Sequence, residues 1–399
     1  MQRGVFMFNN KFGKIMCAVL AVIICAVSMC SCGQTAVEPT SSAVPTSAAV
    51  PSGTSVTATI TKDAKFDSAD LDLSAEDFEN AGFSFGDSFD IAFSNGKTLT
   101  DIPYFNGYYV KTGDPVIVAY PGSAYINIAN NNADFWTPLE LSDGMTVTVT
   151  INTPGKYLAT YEALGQSYSM DRADYDSDEQ FANFRALKGG DLKADFLYRG
   201  ASPVDNSRNR APYANSLIEK YSIACVIDLA DSDEDMQTYF ADESFSSDYA
   251  KKLYEEGRTA VLDMSSSYSK DEYKQSVVKG LRKLLSVGGP AYIHCMEGKD
   301  RTGFVCLLIE ALAGATYYEM RDDYMTTYAN YYGITEDGTP ERYNAVVGLY
   351  FDAFLEYLSG ESDLETLRKI NYIDNAKDYL RDGGMTETEI DELLFLVAD

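Results

Sequence analysis

The stretch Ala291-Tyr292-Ile293-His294-Cys295-Met296-Glu297-Gly298-Lys299-Asp300-Arg301-Thr302-Gly303 decides how the chain around it folds. Its first four residues read as a short apolar strand, preceded by the breaker Gly288-Gly289-Pro290. The apolar run from Thr302 to Ala313 reads as a helix. The residues between them are predicted to form a loop joining a strand's C-terminal end to a helix's N-terminus. Open α/β sheets bind ligands at that place. Free backbone N–H groups and the helix dipole there favour an anion.

Outward from the loop, strands and helices alternate. Ile223 to Leu229 is a continuous apolar run, as a buried parallel strand requires, and Ala260-Val261-Leu262 is a second strand. Ser269-Lys270-Asp271-Glu272 has the form of a capping box, and a helix with Tyr273, Val277, Leu281, Leu284 and Leu285 on one face follows it. Thr386 to Glu389 opens a last helix, Glu389 to Val397. Residues 175–399 are therefore expected to form an α/β domain with a parallel sheet and helical crossovers.

The loop carries the residues that thiolate chemistry on an anion needs. An ordinary cysteine, with a pKa of about 8.5, is mostly protonated at neutral pH. Converging amides, a helix N-terminus and Arg301 each favour the thiolate of Cys295. Five residues separate Cys295 from Arg301. A loop of that length can curl its amides around one phosphate while the guanidinium grips two oxygens. Gly298 permits the curl, Thr302 can hydrogen-bond the sulfur or a phosphate oxygen, and Met296, Glu297 and Lys299 complete the wall. His294 is the single histidine of the chain, which marks its place before Cys295 as deliberate. Its expected role is to orient the loop.

The pattern His-Cys-x5-Arg-Thr-Gly resembles the protein tyrosine phosphatase superfamily. Gly298-Lys299-Asp300-Arg301-Thr302-Gly303 resembles in particular the secreted bacterial tyrosine and lipid phosphatases. Tyr198-Arg199-Gly200-Ala201-Ser202-Pro203 is similar to their Arg-Ser segment, and Val226-Ile227-Asp228-Leu229 to their strand ending in Asp-Leu-Arg. Ala230 stands where that arginine is usual. The resemblance implies a cysteine-dependent phosphatase that needs no cofactor and no metal. Cys295 would be the nucleophile, Arg301 the phosphate clamp and Asp300 the general acid. Asp263 and Asp271, before the motif, are the other candidates for the acid. The implied substrates are phosphorylated proteins, with inositol phosphates or phosphoinositides suggested by Lys299. A phytase-like enzyme and a non-catalytic surface binding protein are the competing readings. Arg199, Arg208 and Arg210 read as loop arginines that either guide substrate or are plain surface charges. Asp231 to Glu234 reads as a solvated acidic loop. Cys225 and Cys295 read as two unrelated buried thiols, with a reversible pairing between them as the alternative.

Residues 67–160 read as a small all-β domain, a barrel or sandwich. Short β-branched runs end at turn pairs such as Asn95-Gly96, Asn106-Gly107 and Pro154-Gly155. Ser74 to Asp77 can cap one short helix. The region weakly resembles the small β-barrel of adenosyltransferases that hydrolyse S-adenosylmethionine, and carries no catalytic cluster. Its aromatics Tyr104, Phe105, Tyr108, Tyr109, Phe135 and Trp136 suit a core or a ligand surface. A spacer or substrate-presenting module is the expectation.

Residues 1–32 read as an export signal: Arg3, Lys11 and Lys14 precede an apolar run from Ile15 to Met29. Met29-Cys30-Ser31-Cys32-Gly33 resembles a lipobox with Cys32 as the lipidated residue and Cys30 as the alternative. Residues 33–66, rich in Ser, Thr, Ala and Pro, read as a tether. The expected place is the bacterial cell surface, with a lipid anchor as the only membrane contact. The net charge of −28 argues against nucleic-acid binding. It also means that the loop must be a positive island in a negative field.

Overall fold

The computed structural model describes residues 52–399 except 64, 121, 122 and 166. The signal, Cys30, Cys32 and most of the tether lie outside these residues. Among the described residues, no helix is long and apolar enough to cross a membrane.

Seven strands close into a barrel: β1 (Ser55–Lys62), β2 (Ala69–Leu71), β3 (Ser88–Phe93), β4 (Thr98–Phe105), β5 (Pro115–Val118), β6 (Asn127–Asn130) and β7 (Thr146–Thr153). Their order around it is β1-β2-β6-β5-β4-β3-β7. Only β4 and β5 run parallel. Strand β1 is made of residues whose Ser/Thr-rich composition reads as tether. Its period of two overrides that composition: Ala58 and Ile60 point inward, and β1 pairs with β7 and β2. Closure leaves no sheet edge exposed. Phe78, Phe89, Phe93, Phe135 and Trp136 fill the barrel core. Ser74 and Asp77 form the predicted capping box of the helix Ala75–Asn80.

The second sheet has the order β11-β10-β12-β9-β8, from β8 (Arg185–Ala186), β9 (Leu197–Gly200), β10 (Cys225–Asp228), β11 (Thr259–Val261) and β12 (Ala291–His294). Strands β9 to β12 are parallel, but β8 pairs antiparallel with β9, so the sheet is mixed. The connection from β8 to β9 holds no crossover helix, and a short return of that kind can only be antiparallel. Asp228, His294 and Gly200 lie side by side in register at the C-terminal ends of β10, β12 and β9. The helix Asp300–Leu312, buried along nearly its whole length, follows β12.

The predicted capping box at Ser269 does not form. Lys270 precedes the helix Asp271–Val287 without a side-chain cap. Its ammonium instead reaches Asp67 of the β1–β2 connection at 2.7 Å. Further contacts join the two parts. Lys65 donates to the Ala230 carbonyl at 2.8 Å and to Asp263 at 2.6 Å. Arg342 holds the carbonyls of Ala163 and Gly165, just after the barrel, at 3.0 Å each. Phe105, Tyr109, Val116 and Val118 of the barrel belong to one apolar cluster with the core of the α/β sheet.

Candidate active site

The loop from Cys295 to Lys299 follows β12 and delivers the chain into the helix Asp300–Leu312, as predicted. Three groups behind it hold its carbonyls. Tyr331 Oη donates to Glu297 O at 2.8 Å, Arg199 Nη2 to Gly298 O at 2.9 Å, and Ser202 N to Met296 O at 3.1 Å. Asn183 Nδ2 adds a 3.2 Å bond to Gly298 O. In a planar trans peptide the N–H points opposite to the C=O. Fixing these carbonyls therefore turns the N–H groups of Glu297, Gly298 and Lys299 away from the scaffold. Gly298 is required twice over. Its φ is +67°, and a Cβ there would lie 2.2 Å from the Gly200 carbonyl oxygen.

The scaffold rests on a buried ion network. Arg199, 1% exposed, pairs with Asp323 at 2.5 Å, and Arg185 pairs with the same carboxylate at 2.7 Å. Burial works to raise the Asp323 pKa, but the two guanidinium groups outweigh it and hold Asp323 below its ordinary range. Glu310, also buried nearby, is pushed well above its ordinary range by burial and then by Asp323.

Cys295, Arg301, Lys299, Asp300, Met296 and Glu297 line one cavity of about 490 Å³. Arg301 Nη1 donates to Met264 O at 2.9 Å and Leu229 O at 3.5 Å, which aims its guanidinium from two neighbouring loops. Lys299 is buried rather than solvated. Its ammonium donates to both Asp300 oxygens at 2.9 and 3.0 Å. Burial opposes its charge, but Asp300 and then Tyr328 outweigh burial and raise its pKa. Asp300 itself is half-exposed into the cavity. Thr302 Oγ1 is buried with no hydrogen-bond partner. Such a hydroxyl costs about 1–3 kcal/mol unless a ligand or a moved group engages it.

His294 is buried beneath the loop. Its Nδ1 makes no hydrogen bond and lies 3.9 Å from Asp228 Oδ1. Burial lowers its pKa to about 4, against the pull of Asp231, so the ring is neutral at neutral pH. Asp228 and Asp231 are both raised, first by burial. Asp231 is thus no solvated loop residue. Only Asp233 and Glu234 beyond it open an exposed helix.

The two other acid candidates do not line the cavity. Asp263 is engaged by Lys65 of the barrel, and Asp271 sits 80% exposed in a helix's first turn. The loop arginines separate as well. Arg199 lies in β9, and Arg210 is buried among the rings of Tyr331, Tyr168 and Phe181 at 4.4–4.8 Å. Arg208 does line the cavity, 3.5 Å from Glu297 Oε1. Cys225 pairs in register with Ala291, at the far end of β10. Four residues of strand, about 13 Å, separate that level from Cys295, too far for a disulfide.

The other wall of the cavity comes from the barrel. Tyr108, Tyr109, Asp70, Asn106, Asn127 and Asn130 face it. Of the aromatics singled out from the sequence, Tyr104, Phe105, Phe135 and Trp136 are core, while Tyr108 and Tyr109 meet the cavity. No local pattern marks Asn183, Asp323 or Tyr331 as supports of the loop, nor Asp70 and Asn127 as cavity residues. They are brought in by tertiary packing.

No curated protein matches the chain at a significant level. Among solved structures, the chain is similar to the crystal structure of an uncharacterized conserved protein from Thermotoga maritima, at 18% identity and a TM-score of 0.21. That match covers 23% of this chain and 35% of the other, so the chain spans about a third of that protein's length. The sequence profile of the tyrosine phosphatase family matches residues 179–395, more than half of the chain, and takes in the loop, its supporting strands and the helix behind it; the chain belongs to the tyrosine phosphatase family.

Proposed function

We propose that the protein hydrolyses phosphate monoesters through a phosphocysteine intermediate on Cys295. The observation that carries this reading is the position of Cys295. It lies at the end of β12, before a buried helix, in one cavity with Arg301 and Asp300 and with the loop carbonyls tied back behind it. In the first step Sγ of Cys295 attacks phosphorus and the ester P–O bond breaks. Asp300 gives its proton to the departing alkoxide or phenoxide. Arg301 and the loop N–H groups stabilise the charge on the three equatorial oxygens. In the second step water attacks the phosphocysteine, Asp300 takes the proton, and phosphate leaves as the thiolate reforms. Thr302 is suited to donate to the leaving sulfur, since its hydroxyl is buried and unused. Neutral His294 acts as a support.

Phosphotyrosine proteins and phosphoinositides are the substrates that the resemblance suggests. Export and a lipid anchor at Cys32 belong to the same proposal. The test is phosphate release from phenyl phosphate, phosphopeptides, phosphoinositides and phytate, with Cys295→Ser as control. Loss of release in the variant and trapping of a phosphorylated Cys295 by rapid acid quench are expected. Equal activity in Cys295→Ser overturns the mechanism.

A further inference from the structure

We infer that the barrel supplies the alcohol-side subsite of this cavity, and that the subsite takes a small, singly phosphorylated polyol or sugar with an otherwise uncharged body. The inference rests on the catalytic reading above and replaces the substrates that the resemblance suggests. Two observations carry it. The first is a shared cavity: one space of about 490 Å³ is lined by Cys295 and Arg301 and also by Asp70, Asn127 and Tyr108. That size suits a small organic molecule, whose surface such sites largely bury. Contacts from two barrel segments, Lys65 and Asp67 in the β1–β2 connection and Thr112 between β4 and β5, join the barrel wall to the loops beside the nucleophile, so it is part of the site.

The second observation is the chemistry of the two walls. The phosphatase wall carries Lys299, Arg301 and Arg208, the last beside Glu297. The barrel wall offers carboxylates, amides and phenols. Asp70 accepts a short hydrogen bond from the Asn127 amide, a carboxylate–amide pair of the kind that binds neighbouring hydroxyls. Asp63 lies close by, and burial followed by the charges of Asp63 and Asp70 raises the Tyr108 phenol to about 12. Tyr108 therefore stays a hydroxyl on the cavity wall. The two lysines on that side are engaged by carboxylates, Lys65 by Asp263 and Lys270 by Asp67. A second phosphate at this end would meet Asp63 and Asp70 and find no uncommitted lysine.

The test compares kcat/KM of the full chain on a hexose monophosphate, free inositol monophosphate, phenyl phosphate, phytate, a phosphotyrosine peptide and a phosphoinositide in phosphatidylcholine vesicles. The polyol and hexose monophosphates are expected to exceed phytate, the peptide and the vesicle substrate by at least tenfold. Asn127→Ala is expected to lower the ratio of hexose phosphate to phenyl phosphate at least tenfold, mainly through KM. Asp70→Asn keeps the shape and removes the charge, and should raise activity on phytate relative to hexose phosphate. Preference for the peptide, the vesicles or phytate overturns the inference, as does an unchanged ratio in both variants. If phenyl phosphate is not hydrolysed at all, the catalytic reading fails instead. Calorimetry on Cys295→Ser then decides the subsite: at least tenfold weaker hexose phosphate binding on adding Asn127→Ala upholds it, and equal binding overturns it.

Discussion

Arg199 Nη2 lies 2.9 Å from the carbonyl oxygen of Gly298, so a strand buried beside β12 holds the loop after Cys295 from behind. The same guanidinium pairs with Asp323 at 2.5 Å. One residue thus links loop shape to a buried charge pair. Arg199→Lys keeps the charge and loses the fork that serves both partners. Breaking a buried pair costs about 3–5 kcal/mol when one partner is removed, and the lysine retains part of the pairing. The expected result is a loss of about 2–3 kcal/mol in denaturant unfolding, with kcat reduced more than KM because the loop relaxes. Wild-type kcat and stability in this variant would show that the carbonyl contact is incidental.

Asp300 lines the cavity and Asp263 is held by Lys65 outside it. If Asp300 is the proton donor, Asp300→Asn should lower kcat on an alkyl phosphate by about 10²–10⁴-fold. The loss should be much smaller on a nitrophenyl ester, whose leaving group hardly needs a proton. Asp263→Asn removes only a partly exposed ion pair, worth about 0–1 kcal/mol. Its rates should change little. A large, leaving-group-dependent loss in Asp263→Asn instead of Asp300→Asn would move the acid to the loop after β11.

His294 titrates at about 4 in the fold, against 6.5 ordinarily, because burial outweighs the nearby carboxylates. The folded value lies below the unfolded one. The neutral ring therefore favours the fold fully above about 6.5, and that contribution is lost as pH falls toward 4. At ~1.36 kcal/mol per unit this amounts to about 3 kcal/mol. Asp228 and Asp231, raised by burial, oppose this trend in the wild type. Comparison with His294→Asn cancels the larger, burial-driven part of their share. The stability gap between the two proteins should shrink by about 3 kcal/mol from pH 7.5 to pH 4. A gap independent of pH would mean that His294 binds a proton equally in both states.

Cys225 and Cys306 are buried, and burial pushes both thiols up to about 12. Cys295 is the thiol of the α/β domain that meets a cavity. Brief iodoacetamide treatment at neutral pH, followed by peptide mapping, should label Cys295 at least tenfold faster than Cys225 or Cys306. Millimolar inorganic phosphate should slow that labelling. Equal labelling of all three would contradict the packing of β10 and of the helix Asp300–Leu312.

Some of this was legible in the residues themselves. A strand, a glycine-containing loop and an apolar helix in succession place Cys295 and Arg301 at an anion site, because period, breakers and helix termini act over a few neighbouring residues. The alternating β-branched runs read as a small all-β unit for the same reason. Other features depended on pairings between separate elements of the chain. Ser55–Lys62 is a strand only because β7 and β2 are there to pair with it. Lys270 rather than Ser269 precedes its helix and pairs with Asp67, Arg199 leaves the surface for Asp323 and Gly298, and Cys225 lands at the wrong end of its strand to reach Cys295. The docking of the barrel over Cys295 is of the same kind. It depends on one shared apolar cluster and a few long-range ion pairs, interactions that carry no signature along the chain. Local sequence therefore set the loop that carries Cys295 and Arg301, and tertiary packing set the cavity that the loop lines.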